Sequence, residues 1–297
     1  MDIANQYDEN GKKTGLWIER NEDGQVLNSI NYKAGKLNGK YTEFNPITGL
    51  ITSSSEYREG LLHGTYKSYD DKGNLRKSIE YKNNLKNGVA LSYFSNGNIK
   101  DITNYLEDKK HGKKIDFYEN GEIKTNTNFY KGKEHGVEIS YYPNGIIESK
   151  ANFKEGLLHG KCEHFYDNGQ LKEVGYYRNR DPHGIFIGLY KNGELDYITS
   201  FKEGKINRLF LQFDENGILK NSKLNKNGNE DFSLSNKEKE ELVPRESQKL
   251  FKELEKDDYL KTIIKNTSWG KSQGNTTEQD WGNKILQDKI SSLENER

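Results

Sequence analysis

The chain has 297 residues, of which only 31% are apolar and another 31% are charged, so it cannot fill the thick hydrophobic core of a compact domain of this length. Its 19 Tyr, 12 Phe and 3 Trp also exclude a disordered polar tract, because such tracts are poor in aromatic residues. Lysine plus arginine and aspartate plus glutamate both number 46, which leaves no net charge to attract nucleic acid or anionic lipid.

The start of the chain shows no targeting signal. Residues Met1–Asp8 contain neither the basic nor the apolar stretch of a signal peptide, and no apolar run approaches the ~18 residues that span a bilayer. A single cysteine, Cys162, excludes an intramolecular disulfide and a cysteine-rich zinc site. We therefore expect a cytoplasmic protein.

Internal repetition dominates the sequence from about residue 11 to residue 228. A glycine recurs every 24 residues, with one 25-residue step where an extra residue lengthens a turn, and Arg208 takes the place of the ninth glycine. Positions are counted from this glycine, which is position 0, and the extra residue is left uncounted. Position 11 is always aliphatic, and position 17 is aromatic in eight of nine repeats. The glycines at position 0 are Gly15, Gly39, Gly64, Gly88, Gly112, Gly136, Gly160 and Gly184.

Each repeat carries two turn signals. The first is Asn-Gly or a related pair, as at Asn120-Gly121, which predicts a two-residue type I′ hairpin turn because both of its central residues need positive φ. The second is a glycine four residues before the next position 0, as at Gly156, with Asn84 and Asp108 among its replacements. With this loop length, position 6 should face position 11 across the hairpin, and the aromatic residue at position 17 should cover the glycine at position 0.

Together these signals predict a sheet with two solvated faces, one with positions 6, 11 and 17 and the other with positions 1, 3 and 5. The expected fold is mainly β: a single-layer antiparallel β-meander solenoid of about nine 24-residue hairpin repeats with a small α-helical C-terminal segment. The predicted boundaries are 1–228 for the repeat array, 229–236 for a linker and 237–297 for the helical segment.

Stretches such as Tyr130–Gly136 and Phe153–Gly160 closely resemble the MORN-repeat variant of bacterial proteins grouped as YwqK-like antitoxins. The resemblance covers roughly three quarters of the chain. It implies repeated β-hairpins that act as protein-interaction modules, with lipid binding in some eukaryotic relatives and an antitoxin role in bacterial ones. Arg208 in place of glycine and Asn225 at the last position 17 depart from the pattern and suggest a terminal cap.

The composition changes after residue 228. Lys237–Val243 is predicted to form a short helix that Pro244 stops, and Arg245–Lys265 to form a second helix. A capping box at Thr276–Gln279 starts a third helix that runs to about Asn295. Two roles are open for this segment: it docks on the end of the sheet and protects an edge strand, or it binds a partner.

Two groups of residues suggest chemistry at first sight. A histidine precedes position 0 in five repeats. Neighbouring repeats lie ~9.6 Å apart, which is too far for histidines of two repeats to share a zinc ion, because zinc–nitrogen bonds are about 2.0 Å. Asparagine occupies the same position in other repeats, so we interpret this position as part of a turn. Cys162 and His164 share a strand face, yet no third group orients them as a nucleophile pair. We therefore expect no catalytic residue, no metal and no cofactor. The five histidines are His63, His111, His135, His159 and His183.

The aromatic doublets at positions 5 and 6 are the best candidates for a partner surface, because adjacent strand residues point to opposite faces and one ring of each pair should be exposed. We select Tyr118, Tyr142 and Tyr166 as partner-binding residues, with Trp269 in the C-terminal segment as a further candidate.

The function expected from these features is that of a non-enzymatic scaffold. Its repeat sheet would bind a protein partner, and an antitoxin or immunity-type inhibitor is one such role. The alternative is a membrane-surface or lipid-associated MORN scaffold, against which the zero net charge argues. An enzyme with its site in the C-terminal segment is a third, weaker hypothesis. We expect no nucleic-acid partner, and the oligomeric state stays open.

Overall fold

The computed structural model of the chain describes residues 4–226, 229–230 and 236–267. Within these residues, twenty-three strands follow one another in a single antiparallel sheet, a meander, and two helices follow the sheet. The predicted mainly β fold of hairpin repeats with a small helical C-terminal segment is thus confirmed.

The chain divides into two compact units, and the division falls inside the repeat array. The first comprises Met1–Gly136 with Pro143–Gly145, and the second comprises Val137–Tyr142 with the residues from Ile146 onward. The first unit contains β1 (Gln6–Tyr7), β2 (Lys13–Arg20), β3 (Val26–Lys33), β4 (Lys36–Phe44), β5 (Ile51–Arg58), β6 (Leu61–Leu62), β7 (Gly64–Tyr69), β8 (Leu75–Lys82), β9 (Leu85–Tyr93), β10 (Ile99–Leu106), β11 (Lys109–Phe117), β12 (Ile123–Tyr130) and β13 (Lys133–Glu134).

The second unit starts within β14 and holds both helices. Its elements are β14 (Gly136–Tyr141), β15 (Ile147–Lys154), β16 (Leu157–Phe165), β17 (Leu171–Arg178), β18 (Asp181–Pro182), β19 (Gly184–Leu189), β20 (Leu195–Lys202), β21 (Lys205–Phe213), β22 (Leu219–Lys226), β23 (Asn229–Glu230), α1 (Asn236–Leu254) and α2 (Asp258–Asn266).

The type I′ turns lie at the second turn of each repeat, and the prediction that they lie at Asn-Gly was wrong. Both central residues of the second turn have positive φ, as in Glu155–Gly156 with 54° and 81°. At the Asn-Gly turn only the glycine does, with 92° at Gly121, whose N–H donates to the carbonyl of Tyr118 over 2.9 Å. This is the longer hairpin loop in which a four-residue turn ends on a left-handed glycine.

The longer loop changes the register near the turn. Asp116 faces Thr125, but Phe117 then faces Ile123, because β12 carries one extra residue as a bulge. Position 11 therefore lies opposite position 5, and the prediction that it faces position 6 was wrong. A one-residue shift moves a side chain to the other face, so position 11 joins positions 1, 3 and 5.

Each face of the sheet has its own set of repeat positions. Strand alternation and cross-strand pairing place positions 1, 3, 5, 11, 14 and 16 on one face, which is called the helix face because α1 and α2 pack on it in the second unit. Positions 2, 4, 13, 15 and 17 form the other face, which is called the aromatic face.

The predicted pairing of position 0 with position 17 is confirmed, for example between Gly112 and Phe129, but the glycine is needed for another reason. Its φ is positive, 117° at Gly88, because β9 bulges there toward the preceding strand. A Cβ at Gly88 would meet the side chain of Glu80 rather than a ring. A ring does lie on a glycine elsewhere: a Cβ at Gly175 would come within 2.2 Å of Phe186.

The hydrophobic core lies in the second unit. There the helix face and the helices bury a continuous apolar cluster, in which Ile187, Ile198 and Leu211 are 0% exposed. Among the described residues of the first unit, Ile30 alone is a buried apolar side chain, and the other buried positions are serine and threonine. Only the last repeats therefore have a conventional core.

The C-terminal elements differ from the prediction in two ways. Pro244 lies inside α1 and does not stop a helix there, because Val243, Leu250 and Phe251 on that helix are buried in the core and hold it across the proline. Asn229–Glu230, expected in a linker, pairs with β22 as a short strand. The third predicted helix lies outside the described residues.

Candidate functional site

Each of the predicted partner-binding tyrosines is the first residue of an Asn-Gly turn. Tyr142 and Tyr166 lie one repeat apart in the second unit, and each phenol hydroxyl donates to a backbone carbonyl of the next repeat, that of Phe165 and that of Leu189, over 2.8 Å. Both rings are half-buried. Their hydroxyls therefore link successive repeats, while a role of their rings in binding a partner stays a prediction.

Tyr118 takes the same repeat position in the first unit. Its ring is also half-buried, and the ammonium of Lys124 lies 5.7 Å from the ring centroid. Trp269, the fourth candidate, lies outside the described residues.

A denser aromatic cluster lies on the aromatic face of the first unit. Residues at position 2 meet residues at position 17 diagonally across each hairpin, so that Tyr41 and Tyr57 have ring centroids 6.2 Å apart at an interplanar angle of 90°. Two other pairs repeat this edge-to-face contact, and all six rings are partly exposed. We call this set the aromatic strip: Trp17, Tyr32, Tyr41, Tyr57, Tyr66 and Tyr81.

Sequence reasoning identified position 17 but missed position 2. The latter is aromatic in the first three repeats, whereas Ala90 and Lys114 follow in the next two, so it does not stand out as periodic. The diagonal contact depends on the register across the hairpin, and that register changes at the bulges.

Carboxylates border the aromatic strip at position 4. The amide of Asn28 donates to Glu19 over 2.9 Å, and the hydroxyls of Tyr41 and Ser53 donate to Glu43. Burial, followed by the charge of Glu43, raises the pKa of Tyr41 to about 12, so this phenol remains a hydrogen-bond donor at neutral pH.

The ammonium of one lysine of this chain, Lys13, lies over two rings of the aromatic strip. The ammonium of Lys13 lies 4.2 Å from the ring centroid of Trp17 and 5.0 Å from that of Tyr32. These distances are within the range of cation–π attraction, which is strongest over tryptophan. Aromatic faces beside carboxylates thus form a surface that favours a lysine or arginine side chain.

On the helix face of the second unit, polar contacts fix α2 to the sheet. Tyr259 donates to Glu163, whose carboxylate also lies 3.0 Å from the ammonium of Lys161. Tyr176 donates over 2.6 Å to Asp257, which at the same time caps the N-terminus of α2. The described helices thus pack on a face of the sheet, whereas protection of an edge strand and binding of a partner stay predictions.

Cys162 and His164 meet on the aromatic face, with Sγ and Nε2 3.6 Å apart. Burial, followed by the charges of Glu173 and Glu163, raises the pKa of the Cys162 thiol to about 11. A nucleophilic cysteine needs a lowered pKa, so this contact does not activate the thiol.

The histidines before position 0 sit in the bulges. The backbone N–H of His135 donates to the carbonyl of Asn128 over 2.9 Å, and the ring of His63 contacts the side chain of Asn83. In the described part of the chain, no three histidine, cysteine or acidic side chains are grouped to hold a metal ion.

The sequence matches a family of repeats. Residues 62–83, 86–107, 134–155 and 158–179 match the family model described as "MORN repeat variant". These four segments of the chain are similar to MORN-variant repeats. MORN repeats are in general modules for interaction with proteins or membranes. Among curated proteins, none matches the chain.

Two of the solved structures that match the chain show weak similarity to it. The crystal structure of TcdB2-TccC3 is 11% identical with a TM-score of 0.20, and the match covers 70% of this chain but 14% of that one. The Photorhabdus luminescens Tc holotoxin pore with a TccC3-D651A mutation is 12% identical with a TM-score of 0.19, and the match covers 75% of this chain and 13% of that one. Such low scores carry no argument about this protein.

None of the helices in the described residues combines the length and the apolar character needed to cross a membrane.

Proposed function

We propose that the chain is a non-enzymatic scaffold whose aromatic strip binds a protein partner through exposed lysine or arginine side chains of that partner. The observation that carries this proposal is the row of partly exposed, edge-packed rings bordered by carboxylates in the first unit. MORN repeats supply the general context of an interaction module.

The chemistry of the strip supports this assignment. Tyrosine and tryptophan are enriched in binding hot spots because they bury a large rigid area with a polar tip. Ring contacts within each pair hold the side chains in place, so little conformational entropy is lost on binding. Glu19 and Glu43 add charge complementarity to a basic partner side chain.

The resemblance to bacterial antitoxin-like proteins extends the proposal: the partner is a toxin or effector that this chain inhibits in the cytoplasm. The absence of an enzymatic role is likewise proposed, and the raised pKa of Cys162 supports it.

The test is a binding measurement on the purified complex after co-purification has identified the partner. Tyr41→Leu with Tyr66→Leu keeps apolar bulk but removes the aromatic faces, and should weaken binding by tenfold or more without loss of the fold. The matched set is Tyr118→Leu, Tyr142→Leu and Tyr166→Leu. If affinity falls only in the matched set, the partner binds at Tyr118, Tyr142 and Tyr166 and not at the aromatic strip.

A lipid-associated scaffold remains the second candidate, because MORN repeats also include membrane-interaction modules. Co-sedimentation with phosphatidylserine vesicles separates the two functions. The lipid function would be favoured by two results together. The chain would bind vesicles saturably and lose this binding in the double variant Tyr41→Leu with Tyr66→Leu, and no protein partner would co-purify with it.

A further inference from the structure

A cavity of about 590 Å³ lies in the second unit between the helix face of the sheet and the junction of α1 and α2. This volume falls within the 300–1,000 Å³ typical of small-molecule sites. Its sheet side is formed by residues at the ends of strands, and its helix side by Glu253, Asp257 and Leu260.

The two sides carry opposite charges. On the sheet side, Arg178 and Lys202 occupy the same position in successive repeats, and neither forms an ion pair within the described residues. On the helix side, Asp257 is already engaged by Tyr176 and by the N-terminus of α2, which leaves the Glu253 carboxylate as the available anionic group. The available groups are thus two cations facing one anion.

The remaining lining combines apolar side chains with neutral polar ones such as Asn207 and His183. Ile185 and Leu260 provide the apolar surface, since both belong to the core beneath the helices. His159 also lines the cavity, and its Nδ1 is buried without a hydrogen-bond partner among the described residues. A buried polar atom left without a partner is destabilising, so this nitrogen favours an occupant that can hydrogen-bond to it.

The repeats provide an internal comparison. His63, at the same position as His159, has its Nδ1 3.1 Å from the side chain of Asn83. Lys154, one repeat before Arg178 at the same position, is exposed like Arg178 and Lys202 but does not line the cavity. Of these three equivalent residues, Arg178 and Lys202 alone line the open cavity that the helices form with the sheet.

We infer that this cavity binds a small zwitterion with an apolar body, which is the chemistry of a free α-amino acid with an aromatic or aliphatic side chain. The carboxylate pairs with Arg178 and Lys202, the ammonium pairs with Glu253, and the side chain packs on Ile185 and Leu260. This site lies in the second unit and does not rest on the function proposed for the aromatic strip.

Isothermal titration of the full chain with L-phenylalanine and L-leucine tests the inference. Saturable binding is expected, with affinity at least tenfold lower for N-acetyl-L-phenylalanine, which lacks the ammonium, and for L-phenylalaninamide, which lacks the carboxylate. Arg178→Gln and Glu253→Gln should each weaken binding of L-phenylalanine about tenfold. The matched control Lys154→Gln should leave the affinity unchanged.

NMR of the histidine rings tests binding in the unmodified protein, so this result does not depend on whether the variants fold. The chain has six histidines, so the His159 signal can be assigned with His159→Asn, and L-phenylalanine should shift it in the unmodified protein. The inference is overturned if neither amino acid binds at ~10 mM, if the two blocked compounds bind equally well, or if Lys154→Gln weakens binding as much as Arg178→Gln.

Discussion

Arg180 occupies a backbone conformation that suits glycine. It is the second central residue of a type I′ turn with a φ of 78°, where Gly132 and Gly156 stand in other repeats. Left-handed conformations cost a non-glycine residue roughly 1–2 kcal/mol, while glycine loses about 0.5–1 kcal/mol more entropy on folding. The Arg180 guanidinium is exposed and reaches only the carbonyl of Gly156 at 3.3 Å.

We therefore predict that Arg180→Gly raises the free energy of unfolding by about 0.5–1 kcal/mol in urea denaturation. The reciprocal variant Gly132→Arg places arginine at the same turn position and should lower it by a similar amount. A stability loss in Arg180→Gly would mean that the guanidinium contact outweighs the backbone strain.

At the level of elements, the sequence period correctly predicted strands, turns and the pairing of position 0 with position 17. It could not predict which turn is type I′, because pairs such as Glu155-Gly156 are weaker turn signals than Asn-Gly. The docking of α1 and α2 could not be predicted either. It depends on contacts such as that between Tyr176 and Asp257, and because these residues are 81 positions apart, the repeat pattern does not indicate that they meet.

The Tyr176–Asp257 hydrogen bond should contribute measurably to the docking of α2. Tyr176→Phe removes the phenol donor and leaves the Asp257 carboxylate with one partner fewer, which should cost about 1.5–3 kcal/mol of unfolding free energy. Urea denaturation followed by circular dichroism at the helix band measures this loss.

The neighbouring substitution Tyr177→Phe is the control, because that ring lies on the aromatic face, where it packs edge-on against Phe186. Its cost should be clearly smaller. Equal effects of the two substitutions would show that the Asp257 contact does not hold the helix.

At the scale of the whole molecule, apolar burial is uneven. Phe213 and Leu195 of the second unit are 0% exposed, whereas the first unit buries mainly serine and threonine between its strands. Since the hydrophobic effect grows with the apolar area removed from water, local stability should rise toward the C-terminal repeats.

Hydrogen exchange should reveal this gradient. Backbone amides of β19 to β22 should exchange at least about tenfold more slowly than those of β2 to β8, because strand opening in the last repeats also breaks the core. Mass spectrometry of peptides from exchanged protein measures both sets. Uniform exchange along the sheet would show that cross-strand hydrogen bonds dominate its stability.

Alkaline pH should weaken the fold through its tyrosines. Burial is the first cause that raises the pKa of Tyr41, Tyr176 and Tyr259 above 10, and for Tyr41 it reaches about 12. A raised folded-state pKa gives a stability contribution that is complete below pH 10 and is lost as pH rises through the folded-state value.

We predict that the unfolding free energy declines from about pH 10 to pH 12. The phenolate absorbance at 295 nm should rise at higher pH in the folded chain than in the urea-unfolded chain. Tyr41→Phe should remove part of the pH dependence. Coincident titration of folded and unfolded chains would contradict the expected shift.

The tyrosine hydroxyls at the Asn-Gly turns connect equivalent sites of consecutive repeats: Tyr142 to Phe165, Tyr166 to Leu189 and Tyr190 to Phe213. A bond of this kind is regenerated when one 24-residue unit is duplicated or excised, because each new neighbour offers the same carbonyl. Unequal recombination within the gene can therefore lengthen or shorten the array in whole steps without inventing a contact. Selection can then adjust the length of surface that the repeats present, independently of which side chains that surface carries.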